Sequence, residues 1–267
     1  MAAVGFTTTY IFISFLPPLL WLLFYLHEDR NPEPRIFILL VFAGGIASAL
    51  LAVLFEVIAY GDKELSGVIG YLYPSMNFCK VTDAALGIDA RCPVFLFFLG
   101  IAVIEEYVKY LAVKFLVLHR KVFDEPIDAM IYMITAALGF AAIENYFFLS
   151  DVFRSDIPLG LQLAASRFIG ANLLHALSSG IVGYFLARAF FSPYRHHFLA
   201  LGLVTASVLH AFYNYFIITE STFPQGVTML ILLLSTMALV VLVEFERLKR
   251  RTPTEAALDQ TAYQKPQ

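Results

Sequence analysis

The chain has 267 residues, of which 60% are apolar and only 15% charged, and its mean hydropathy is +0.75; that composition excludes an ordinary water-soluble domain and fits an integral membrane protein. A formal net charge of −3 with no extended basic face excludes the electrostatic footprint of a nucleic-acid-binding protein.

Crossing a hydrocarbon core of ~30 Å takes about 20 mostly apolar residues in a helix. Seven segments qualify, so the expected fold is an all-α polytopic transmembrane bundle. In chain order they are 6–26, 36–60, 94–118, 127–150, 164–191, 198–219 and 227–243. The first has no basic leader and is followed by HEDRNPEPR rather than by a small-residue cleavage site, so it is expected to stay as an anchor. The longest loop, 61–93, holds both cysteines, Cys79 and Cys92, which either pair as a disulfide or stand as two thiols. Asp124-Glu125-Pro126 supplies the acidic, proline-bearing first turn of the fourth span, and Ser192-Pro193 closes the fifth. Residues 1–251 form one domain on this reading, and the polar stretch 252–267 is expected to be a disordered cytoplasmic tail.

Lys and Arg set the expected orientation. Arg30, Arg35, Arg120, Lys121, Arg188, Arg195, Arg247, Lys249, Arg250 and Arg251 fall on one side, against Lys63, Lys80, Arg91 and Arg154 on the other. The N-terminus is therefore placed outside and the C-terminus in the cytoplasm.

The third span reads VFLFFLGIAVIEEYVKYLAVKFLVL and carries Glu105, Glu106 and Lys109 at its centre. Its Leu, Ile, Val and Phe residues favour insertion by about 5 to 10 kcal/mol in total. The three charges, at roughly 2.5 to 3.5 kcal/mol each, nearly cancel that gain. Such a helix needs partners, and one is local: Glu105 and Lys109 are spaced i,i+4 with the acid first.

Further partners stand in the next three spans. The fourth carries Glu144, the fifth His175 with Asn172 and Ser179 on the same face, and the sixth His210 with Asn214 one turn on. At 1.5 Å per residue these groups share one layer in the outer half of the membrane. Three carboxylates and one ammonium leave an excess negative charge that low dielectric does not tolerate, so protonation, a charged histidine or a divalent metal must answer it. Two histidines with one glutamate would make a zinc-type ligand set, with a further glutamate as base. The residue types alone do not choose among these.

Four motifs in order then carry a resemblance. The chain is similar to the PrsW family of intramembrane proteases, relatives of the group that includes the CAAX prenyl proteases, from Phe15 to about Phe216. FLPPLLWLLFYLHEDRNPEP resembles the family's first helix and acidic loop, Glu105-Glu106-Tyr107-Val108-Lys109 its EExxK motif, and Phe140 with Glu144 its second motif. His175 in NLLHALSSGIVGY and His210 with Asn214 in LHAFYN resemble the two histidine motifs.

The resemblance implies an integral protein of the bacterial plasma membrane that hydrolyses a peptide bond of a membrane-anchored protein near the extracytoplasmic side, an anti-sigma factor being the family's associated substrate. Under this expectation Glu105 or Glu106 activates water and the other orients it. His175, His210 and Glu144 hold a metal such as Zn2+ or act as donors, Lys109 is the counter-charge, and Asn214 and Asn172 give support. Arg167 is expected to snorkel rather than to reach Glu144, and Glu56 to be solvated at the interface. Two rival classes remain: a proton- or cation-coupled transporter and a non-catalytic scaffold of the same fold.

Overall fold

The structure is a computed structural model and describes residues 2–29, 31–60, 94–190, 194–218 and 225–250. Eight helices account for nearly all of them: α1 Ala2–His27, α2 Arg35–Tyr60, α3 Val94–Leu116, α4 Asp128–Ser155, α5 Ile157–Ile169, α6 Ala171–Phe190, α7 Arg195–Ile218 and α8 Gly226–Lys249. Cys79, Cys92 and the 252–267 tail lie outside the described residues.

The fourth helix is the axis of the bundle. From Asp128 to Ala142 it is buried without interruption, with α1, α2, α3, α5 and α6 packed around it. A helix apolar on every face has no stable place but a core. Two glycines let α2 approach it closely: a Cβ on Gly45 would run into the carbonyl of Ala136, and one on Gly139 into the carbonyl of Phe42. Local chemistry fixes where α4 starts, since the Asp128 carboxylate accepts from the backbone N–H groups of Asp124 and Glu125 at 2.9 and 2.8 Å.

Peripheral helices show the opposite pattern. On α1, α2 and α8 large apolar side chains such as Leu23, Leu39, Ile58 and Leu239 are exposed, as a lipid-facing surface requires. Among the described residues six stretches are long and apolar enough to cross a membrane: Thr9–His27, Arg35–Ala59, Asp128–Ser155, Ile157–Ala189, Arg195–Ile218 and Gly226–Lys249. The helix α3 is not among them because Glu105, Glu106 and Lys109 stand at its middle, and it holds its place by packing against α2 and α7. A helical membrane bundle is thus the observed class, and the protein is an integral membrane protein.

Polar contacts tie the loop end of the bundle together. The Tyr132 hydroxyl donates to Glu33 in the α1–α2 loop, Asn31 Nδ2 donates to Glu125 Oε1 at 2.8 Å, and Lys249 Nζ donates to Glu28 Oε2 at 3.1 Å. Burial raises the carboxyl pKa of Glu33 above its ordinary value of 4.5, against the Tyr132 and Asp128 hydrogen bonds that lower it.

The expected fifth span, 164–191, is two helices. The backbone of Gly170 (φ −83°, ψ −87°) leaves the helical track between α5 and α6. A Cβ there would collide with the Tyr213 hydroxyl, so only glycine admits that ring. Preceding it, Asp156 accepts from the Leu159 N–H at 2.9 Å and Pro158 sits in the first turn, which starts α5 immediately after α4 ends. Glu56 also differs from expectation: it is buried among helices rather than solvated at an interface.

Candidate active site

Four helices bring the expected residues together. Glu105, Glu106 and Lys109 project from the middle of α3, Glu144 from α4, His175 from the second turn of α6 and His210 from α7. Glu105 and Glu106 point differently because adjacent residues on a helix are turned about 100° apart.

Glu106 points inward and is wholly buried. Its Oε1 accepts from Lys109 Nζ at 2.9 Å and from Ser178 Oγ at 2.9 Å, and its Oε2 accepts from Ser179 Oγ at 2.7 Å. The Nδ1 of His210 lies 3.1 Å from the same Oε1. Lys109 therefore pairs more closely with Glu106 than with Glu105, whose Oε2 is 3.6 Å away. The i,i+3 partner prevails because Ser178, Ser179 and His210 already fix that carboxylate.

Each histidine is held by one carboxylate. Lys109 Nζ donates to His175 Nδ1 at 2.8 Å, which makes Nδ1 the acceptor and leaves Nε2–H to donate to Glu144 Oε2 at 2.9 Å. For His210 the tautomer is reversed: Nδ1–H faces Glu106, and the lone pair of Nε2 faces Glu105. The two rings meet edge to face at 5.1 Å between centroids, and Phe140 packs on both His175 and the Lys109 ammonium.

Glu105 is the member without a tight partner. Its Oε2 is buried, makes no hydrogen bond, and lies 3.7 Å from His210 Nε2 and 3.9 Å from His175 Nδ1. A carboxylate oxygen and an imidazole lone pair at that spacing are two acceptors separated by a gap that suits a donor or cation between them. A cavity of about 520 Å³ opens on this gap, with Glu105, Glu144, His175, His210, Arg167 and Asn214 in its wall beside apolar residues including Phe98, Phe148 and Leu174. Glu106 and Lys109 stand behind the wall.

Arg167 does not snorkel. Its Nη2 donates to Glu144 Oε2 at 2.6 Å and its Nε to Asn145 Oδ1 at 2.7 Å, because the Gly170 break turns the last turn of α5 over the cavity. Asn172 supports the same network rather than the histidine face: it accepts from Asn145 Nδ2 at 2.9 Å and donates to the Arg167 carbonyl at 3.0 Å. Asn145 and Ser178 are thus absent from the sequence-derived set, while Arg167 makes the Glu144 contact in place of the expected snorkelling. Asn145 directly follows Glu144 and Ser178 is one turn from His175, and those adjacencies were the available signal.

A metal would find donors here. Glu105, His175 and His210 each offer one ligand atom, all within 4.8 Å of one another and all buried. The expected ligand set with Glu144 is not the one the geometry groups, because Arg167 and His175 both occupy Glu144 Oε2.

Comparison with known proteins follows the same lines. A family profile described as "PrsW family intramembrane metalloprotease" matches residues 33–243. Among named relatives, Protease PrsW of Geobacillus kaustophilus (strain HTA426) is 29% identical over 198 residues, covering 74% of this chain and 74% of that protein. Protease PrsW of Oceanobacillus iheyensis is 30% identical over 154 residues, 57% of this chain and 66% of that protein. Protease PrsW of Bacillus subtilis (strain 168) is 33% identical over 123 residues, 45% and 53% respectively. No solved structure matches the chain.

Proposed function

Because this chain belongs to the PrsW family of intramembrane metalloproteases, we propose that its buried cluster hydrolyses a peptide bond of a membrane-anchored protein, with Glu105 as the base that activates water. One observation carries the assignment of Glu105 over Glu106: Glu105 Oε2 is buried without a hydrogen bond at the cavity wall, whereas both oxygens of Glu106 are engaged.

In the proposed reaction a water in the gap loses a proton to Glu105 as its oxygen bonds the scissile carbonyl carbon. Negative charge moves to the carbonyl oxygen, where the Asn214 amide on the cavity wall is the available donor, both histidine N–H groups being held by Glu144 and Glu106. The C–N bond then breaks, and the proton held on Glu105 passes to the leaving amine nitrogen. Glu106 keeps His210 Nδ1 protonated and its ring oriented, and Lys109 holds His175 Nδ1 while balancing the carboxylates.

The family description implies a metal, and the residues fit one. Glu105, His175 and His210 would hold it, so that with the metal bound Glu105 would serve as a ligand in place of its role as the free base, while Glu106 and Glu144 occupy the other ring nitrogens in the manner of carboxylate–histidine–metal triads. Zinc in that position would supply Lewis acidity and a more acidic water. Lys109 would have to release His175 Nδ1 to it.

The cavity also reaches Val152, Ile217 and Ile218, towards the ends of α4 and α7 that the Lys/Arg distribution assigns to the outside. This supports cleavage on the extracytoplasmic side of a bacterial plasma membrane, with the N-terminus outside and the C-terminus in the cytoplasm. An anti-sigma factor in a regulated cascade is the substrate proposed on the family's association. A transporter relay is not favoured, since the charged groups close on one cavity rather than lining a path through the bundle.

Reconstitution with a single-pass peptide substrate tests the reading. Wild type is expected to cleave, and Glu105→Gln and His210→Ala to lose activity. Undiminished cleavage by both variants would sink the mechanism.

A further inference from the structure

We propose that Arg167 is a positioning residue for the reaction: it fixes Glu144 so that this carboxylate holds His175 Nε2–H, and so keeps Nδ1 of the same ring on Lys109 at the edge of the gap beside Glu105. The inference rests on the protease reading above and concerns a residue of the short helix α5, outside the four motif-bearing segments.

Geometry distinguishes this from a generic ion pair. A single oxygen, Glu144 Oε2, accepts both Arg167 Nη2 at 2.6 Å and His175 Nε2 at 2.9 Å, so the guanidinium and the imidazole are registered against one atom. A second prong, Nε, is held by Asn145 Oδ1 at 2.7 Å, and the guanidinium carbon lies 4.2 Å from the centre of the Phe148 ring. Two directed donors and a stacked face fix the guanidinium plane, which a lysine cannot reproduce. Asn145 and Asn172 complete the frame, Asn145 Nδ2 donating to Asn172 Oδ1 and Asn172 Nδ2 to the carbonyl of Arg167 itself.

The consequence runs through His175. With Arg167 in place, Glu144 has one orientation and the ring has one tautomer and one direction. Without it, a partly buried carboxylate loses its strongest donor and turns or neutralises, and the imidazole is released. Arg167 lines the cavity, but as a positioning residue it acts on the reacting atoms through Glu144 and His175, so its loss should appear in turnover more than in substrate affinity.

The experiment compares wild type, Arg167→Lys, Arg167→Ala and the double variant Arg167→Gln/Glu144→Gln, with Glu105→Gln as the inactive reference. Each is reconstituted in vesicles with a single-pass peptide substrate, and kcat, KM and thermal unfolding in detergent are measured. The expected result is a fall in kcat of about 10- to 100-fold for Arg167→Lys and Arg167→Ala with little change in KM. Added guanidinium, entering the cavity that Arg167 lines, should restore part of the Arg167→Ala rate and none of the Glu105→Gln rate. The double variant removes the unpaired charge, so it should regain thermal stability while kcat stays low. Three results would each overturn the proposal: wild-type kcat in Arg167→Ala, a defect confined to KM, or wild-type kcat in the stable double variant. No cleavage by wild type itself would instead overturn the protease reading, and this inference with it.

Discussion

Glu105 and Glu106 are neighbours in sequence and opposites in environment. Glu106 is saturated by Lys109, Ser178, Ser179 and His210, so its neutralisation leaves the buried Lys109 ammonium with Glu105, 3.6 Å away, as its nearest carboxylate. Breaking a buried pair by removing one partner costs about 3–5 kcal/mol. Glu106→Gln is therefore expected to lower the thermal midpoint in detergent markedly as well as activity. Glu105→Gln removes a carboxylate without a hydrogen bond at Oε2, and should abolish cleavage while leaving the midpoint close to wild type. A large stability loss in Glu105→Gln with none in Glu106→Gln would reverse the two assignments. The Ser178 hydroxyl offers a milder probe: Ser178→Ala deletes one donor to a buried carboxylate and should cost about 1–3 kcal/mol, read by the same unfolding assay.

At the scale of elements, the site depends on how closely helices approach and where one of them breaks. The crossing of α2 and α4 is a backbone contact through Gly45 and Gly139. Gly139→Ala is expected to push α2 away and cost about 1–3 kcal/mol, seen as an earlier thermal transition. The second sensitive point is Gly170, between α5 and α6. Gly170→Ala forces the Tyr213 ring to move and shifts the α5 turn that carries Arg167, so activity should fall more than stability does. The sequence announced α4 through Asp124-Glu125-Pro126, and its start agrees with that signal. It did not announce the α5–α6 break, because a single glycine within an apolar run is compatible with a continuous helix. The ring packed against that glycine, Tyr213, lies more than forty residues away.

Across the whole molecule, the buried site is an arrangement of charge that the bundle has to sustain. Glu105, Glu106 and Glu144 face Lys109 and Arg167, which leaves a smaller imbalance than the sequence suggested once Arg167 joins the site. A residual negative charge suits a divalent ion. Metal analysis of purified protein, followed by chelation and zinc return, is expected to show zinc-dependent activity; full cleavage by metal-free protein would exclude a required metal. Topology has its own measurement. With Cys79 and Cys92 replaced by serine, Ser155→Cys should react with a membrane-impermeant maleimide in intact cells, and Asn31→Cys only after permeabilisation.

By itself the sequence determined that the protein lives in a membrane as a helical bundle, that it belongs with the intramembrane proteases, and that Glu105, Glu106, Glu144, His175 and His210 stand apart from their spans. The physical reason is cost: ionisable groups within apolar helices are too unfavourable to be incidental, so their mere presence is legible without coordinates. Only the tertiary structure decided who pairs with whom. Lys109 sits closer to Glu106 than to Glu105, Arg167 holds Glu144, and Glu105 alone of the α3 pair faces the cavity. Those outcomes follow from the rotation of each helix about its axis and from the turn at Gly170. Both are set by contacts between residues far apart in the chain, which helical periodicity within one span does not encode.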